Sequence, residues 1–126
     1  MGVVAVVDPQ STTRYDLKSL PGGWVEIRKM TYGQKLQRQE IAFSMTTETG
    51  KKKGRKDLEI SSMQKAVSEF EFRCCIADHN LEDASGEKLD LGNPFQIRHL
   101  LPSVGTEIED FIAEENEFDE ESLTEE

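Results

Sequence analysis

A chain of 126 residues suits one domain with a single modest core and leaves little room for a second. The formal charge of −10 is local, because residues 107 to 126 hold 11 Asp or Glu and no Lys or Arg, leaving 15 basic and 14 acidic groups on the other 106 residues. That near-neutral body gives no electrostatic reason to expect nucleic acid or an anionic membrane as partner, and the longest apolar run, Val3 to Val7, is far short of the ~18 residues that span a bilayer.

In chain order, residues 1 to 13 open apolar and turn polar through Asp8-Pro9-Gln10, which reads as an arm or edge strand with few ways to anchor itself unless it pairs with a sheet or another subunit. From Arg14, Tyr15, Leu17 and Ser19 alternate, Pro21-Gly22-Gly23 turns the chain, and Trp24, Val25 and Ile27 resume a strand. This pattern predicts a β-hairpin. Thr31 followed by Gln34 has the spacing of a capping box and starts a helix to about Met45, with Leu36 and Phe43 on its apolar face and Ile41 and Met45 on an adjoining stripe. The run Lys51 to Lys56 has no apolar residue and reads as a solvated loop.

Met63, Ala66, Val67, Phe70, Cys74 and Ala77 recur at spacings of three and four, predicting a long helix from about Glu59 to His79. Asn80, Asp83 and Gly86 form turns, and Leu89 and Leu91 suggest a short strand. Asn93-Pro94 predicts an N-capped helix to about Leu100 that Pro102 ends, and Ser103 caps a last helix lined by Val104, Ile108, Phe111 and Ile112. Beyond Phe118 the composition is nearly all acidic and predicts a disordered tail, residues 119–126. The fold class expected is α+β, mainly α: three to four helices in one domain, 14–118, with an N-terminal hairpin.

Cys74 and Cys75 are adjacent and cannot bridge each other without strain, so a reduced, intracellular setting is expected. On a helix Cys75 and His79 would share a face and offer two ligands to a metal, with Asp78, Asp83 and His99 as distant additions. Zinc needs three or four placed ligands, so the set falls short. Cys75 with His79 or His99 is formally a nucleophile and base, but a buried cysteine and a histidine near a helix C-terminus account for the same residues through packing and the helix dipole. No phosphate-binding glycine loop, Gly-x-Ser-x-Gly or His-Glu-x-x-His occurs. No enzyme and no cofactor are expected.

Three runs carry a resemblance. They are "YDLKSLPGGWVEIRKMTYGQKLQRQ" from Tyr15, "FEFRCCIADHNLEDASGEKLDL" from Phe70, and "LLPSVGTEIEDFIAEEN" from Leu100, with Gly22-Gly23-Trp24-Val25, Cys75-Ile76-x-Asp78-His79-Asn80-Leu81 and Val104-Gly105-x-Glu107-Ile108 as the matching motifs. Over about residues 15 to 116 they resemble the tail assembly chaperones of long-tailed, non-contractile bacteriophages. The resemblance implies a non-enzymatic protein of the host bacterial cytoplasm, missing from the finished virion, that binds the tape measure protein, keeps it soluble and recruits tail tube protein. It also implies a form extended by ribosomal frameshifting, of which this chain would be the short version.

The residues expected to meet the client are Leu36, Ile41, Phe43 and Met45 of the first helix, with Val4 and Val6 of the arm; Phe43 is expected rather to complete the core. Self-association through the apolar arm is a further expectation, prompted by an unpaired strand edge. The competing readings are a permanent tail or connector subunit of a virion, and a small metal- or thiol-dependent enzyme built on Cys75, His79 and Asp78.

Overall fold

The structure is a computed structural model and describes residues 2–49 and 56–118, with the side chains of 45–49 and 56–62 left aside. Residues 51–55 of the basic run Lys51 to Lys56 and the acidic tail 119–126 therefore lie outside the described residues, as does the side chain of Met45, while Lys56 itself opens a helix rather than lying in a loop and the first helix runs past Met45 to Thr49. Among the described residues the fold is α+β, mainly α: a three-stranded antiparallel sheet and four helices, in the order β1 (Thr13–Asp16), β2 (Trp24–Ile27), α1 (Tyr32–Thr49), α2 (Lys56–Cys75), β3 (Ile76–His79), α3 (Pro94–Ile97) and α4 (Pro102–Asn116).

The hairpin forms where alternation and turn chemistry coincide. Thr13 faces Ile27 and Asp16 faces Trp24, and the Gly23 N–H closes the turn on the Leu20 carbonyl at 2.9 Å. Gly22 takes φ +90° as the third residue of that turn, a conformation open to glycine and costly for most other residues. Gly23 is required for a different reason, since a Cβ there would meet Leu17 Cδ1 at 3.0 Å and the Leu20 carbonyl oxygen at 3.1 Å.

The long second helix stops earlier than its periodicity suggests. It ends at Cys75, and residues 76–79 form β3, which pairs antiparallel with β2 through Val25 opposite His79 and Ile27 opposite Ile76. Pairing with β2 satisfies the backbone of these residues as a further turn of helix would, and sequence period alone does not reveal the pairing partner. In consequence Cys75, not Cys74, is the fully buried cysteine. Leu89 and Leu91 lie in irregular chain around a single bridge between Glu82 and Lys88 rather than in a strand.

Asn93 caps α3 as expected, its Oδ1 accepting the Phe95 N–H at 2.9 Å, but α3 is only four residues long. Pro102 does not end a helix; it opens α4, where its missing N–H costs nothing, with Leu101 at the cap position in place of Ser103. α4 buries Val104, Ile108 and Ile112 against Val25 and Ile27 of β2, Leu17 just beyond β1, and the end of α2 at Phe70, Phe72 and Cys75. Carboxylates on α4 fasten it to the sheet: Glu115 accepts from Thr13 Oγ1 at 2.9 Å and Tyr15 OH at 2.8 Å, and Glu107 accepts the Lys18 and Ser19 N–H groups at 2.8 and 2.9 Å.

Candidate partner-binding surface

α1 starts on the capping box read from the sequence. The Gln34 N–H donates to Thr31 Oγ1 at 3.1 Å, and the Thr31 N–H donates to Gln34 Oε1 at 3.0 Å. From there the helix runs antiparallel to α2, Arg38 meeting Glu71 while Ala42 packs with Met63 and Val67. Its buried line is therefore Arg38 and Ala42, flanked by half-buried Ile41, which touches both the small α1–α2 cluster and the main core.

The opposite side of α1 is apolar and open to solvent. Tyr32 is 75% exposed, Leu36 46% and Phe43 69%. At 100° per residue these three fall within one narrow stripe, roughly 16 Å long from Tyr32 to Phe43 at 1.5 Å per residue. Leu36 and Phe43, with Gly33 and the polar Gln37, Gln39 and Glu40, line a shallow depression of about 580 Å³. So Leu36 and Phe43 do not form the core face of the helix, and Phe43 does not complete the core. Ile41 belongs to the packed side.

Tyr32 was not legible as a surface residue, since it occupies the first helical position ahead of any apolar period. Val4 and Val6 are 86% and 80% exposed, and residues 2–7 form neither helix nor strand. The arm's base rests near Lys29 and Glu115, where Ala5, Val6 and Val7 help to line a cleft of about 370 Å³.

An unusual charge pair holds α1 in place. Arg38 Nε donates to Glu71 Oε2 at 2.6 Å, with both side chains nearly removed from solvent, and the guanidinium lies 3.8 Å from the centre of the Phe118 ring. Burial pushes the Glu71 carboxyl up, Arg38 pulling the other way.

The cysteine and histidine candidates are not brought together as a site. With residues 76–79 extended, Cys75 and His79 no longer share a helix face and stand roughly 13 Å apart along the chain at strand rise. The Cys75 thiol is buried, its pKa pushed up to about 12 chiefly by desolvation, and the Asn116 amide lies 3.7 Å from its sulfur. His79 is buried at the end of β3, its Nδ1 accepting the Leu81 N–H at 3.0 Å, and desolvation holds its pKa below the usual value. Asp78 bonds Lys88 Nζ at 2.7 Å and Asp83 accepts from the Ser85 and Glu87 N–H groups, while the exposed His99 faces the Phe95 carbonyl. Among the described residues no group of three His, Cys, Asp or Glu is placed to hold a metal ion, and no helix is long and apolar enough to cross a membrane. Comparison with protein-family models, with curated proteins and with solved structures finds no match.

Proposed function

We propose that the chain is a tail assembly chaperone of a long-tailed, non-contractile bacteriophage. It lays the outer stripe of α1 along an apolar helical stretch of the tape measure protein, keeps that client soluble in the host cytoplasm, and yields it to tail tube subunits as they polymerise. The sequence resemblance over residues 15 to 116 suggests the role. The observation that carries it is the α1 stripe: an 18-residue helix turns Tyr32 and Leu36 outward, at 75% and 46% exposure, while burying an arginine on its other side. An exposed line of apolar side chains at helical spacing is the form in which one helix receives another.

Co-expression with a tape measure protein tests the proposal. The double variant Tyr32→Ser, Leu36→Glu is expected to fold normally and to lose the soluble client, which moves to the pellet. A client equally soluble with wild type, with the variant and with no partner at all would overturn the proposal. Mass spectrometry of purified particles separates it from the structural alternative: a chaperone is missing from virions, whereas a tail or connector subunit is present in them.

A further inference from the structure

Among the described residues one edge of the sheet has no strand beside it, and one apolar segment, Val3 to Val7, lies outside any helix or strand. The order β1-β2-β3 puts β1 and β3 at the edges. At the β3 edge the Asp78 side chain reaches across to Lys88, the His79 N–H bonds Asp78 Oδ1 and the Leu81 N–H bonds the His79 ring, so the 80–92 segment is tied over it. β1 has no such cover: Thr13, Arg14 and Asp16 are exposed.

Register shows which of its backbone groups face outward. The Leu17 N–H donates to the Gly23 carbonyl at 2.9 Å, and bonded pairs alternate along an antiparallel ladder, so Tyr15 and Thr13 turn their backbone groups to β2. Arg14 and Asp16 must then point N–H and C=O away from the sheet, and nothing among the described residues bonds them. An unpaired edge of this kind is a template for an added strand.

The arm has the matching composition. Val3, Val4 and Val6 are 80 to 91% exposed in non-helical chain, and Val3 to Val7 contains no proline, glycine or charge. Five residues cover a four-residue edge. A turn at Asp8–Ser11, closed by the Ser11 N–H on the Asp8 carbonyl at 3.0 Å, separates arm from β1, and the arm instead passes the far end of β2 at Lys29. The chain thus carries both halves of a strand pair and does not join them within itself.

We infer that Val3–Val7 of one copy adds as an antiparallel strand to the outer edge of β1 in a second copy, reciprocally, so that two chains close into a dimer in which each sheet gains a fourth strand from its partner. The exchange pairs the Arg14 and Asp16 backbone groups and gives the arm a ladder to join, and two-fold reciprocity stops growth at two copies. It does not depend on the client reading, since no residue of α1 takes part in the proposed strand pair.

The test uses the full chain in sedimentation and hydrogen exchange. Wild type is expected to be a dimer whose Arg14 and Asp16 amides are protected at high concentration and lose that protection on dilution. Arg14→Pro removes an N–H that the β1–β2 ladder does not use, a position where edge strands tolerate proline; it is expected to unfold at the wild-type temperature when both are dilute monomers and to raise the dimer dissociation constant at least tenfold. Val4→Glu with Val6→Glu is expected to do the same from the other half of the pair. A chain that stays monomeric at all soluble concentrations, a dimer that both variants leave intact, or Arg14 protection that survives dilution to monomer would each overturn the inference.

Discussion

Arg38 of α1 and Glu71 of α2 meet at 2.6 Å with side chains only 6% and 9% exposed, and this pair sits where a helix hairpin of ordinary composition would place two apolar residues. Removing water from both charges is costly, and their attraction offsets that cost only because the contact is close and the guanidinium also rests on the Phe118 ring. Breaking one side leaves a bare buried charge. Glu71→Ala is therefore expected to destabilise the protein by about 3 to 5 kcal/mol in chemical denaturation, whereas Arg38→Met combined with Glu71→Leu should come back to within about 1 kcal/mol of wild type. A single variant with wild-type stability would show that the pair does not hold α1.

Two substitutions on the same helix should behave in opposite ways. Leu36→Glu changes an outward residue and is expected to shift stability by no more than about 0.5 kcal/mol, in line with surface changes generally. Ile41→Glu drives a charge between the α1–α2 cluster and the main core and should cost more than about 2 kcal/mol. Thermal unfolding of the two variants checks this. The contrast also assigns roles, since client binding lost in Leu36→Glu cannot then be blamed on misfolding.

What could be read from the sequence was local. Thr31 with Gln34, and Asn93 with the Phe95 N–H beyond Pro94, satisfy backbone groups within three residues, so their types and spacing carried the whole instruction. The hairpin was equally legible, because alternation and the Pro21-Gly22-Gly23 turn act within one stretch of chain. The end of α2 was not: Cys74 and Ala77 continue a helical period, and only Val25 and Ile27, some fifty residues earlier, turn 76–79 into a strand. The facing of α1 failed for a related reason. Arg38 reads as a solvated residue until Glu71, 33 positions on, draws it inward and leaves Leu36 and Phe43 outside.

His79 should make the protein sensitive to mild acid. Its neutral ring accepts the Leu81 N–H through Nδ1, and burial together with Lys88 holds its pKa below 6.5, against a backbone bond to Leu89 and the carboxylates of Asp78 and Asp90. A base with a lowered pKa in the folded state binds its proton more readily when unfolded. The stability it contributes is thus complete above the unfolded value near 6.5 and is lost as pH falls through that value toward the folded one. Stability is therefore expected to fall as the pH drops from 7 through 6.5 and below. His79→Gln, which cannot titrate, should flatten the profile over that window; an equally steep profile in the variant would assign the effect to other groups.

The two neighbouring cysteines should differ in reactivity. Cys75 is fully buried at the end of α2, its thiol raised to about 12 by desolvation and by the neighbouring Cys74 and Glu71, with Asn116 and Arg28 opposing weakly. Cys74 is only partly buried; desolvation raises its thiol too, but Arg73 and Arg28 pull it back. Since the thiolate is the reacting species, a pKa near 12 leaves about one Cys75 in ten thousand ionised at pH 8. Iodoacetamide followed by mass spectrometry should therefore label Cys74 well before Cys75 in the native protein, and both at similar rates in denaturant. A stabilising variant should slow Cys75 labelling further, because its modification waits on opening of the core between α2 and α4. Native Cys75 labelled as fast as the denatured chain would contradict the packing of Asn116 over its sulfur.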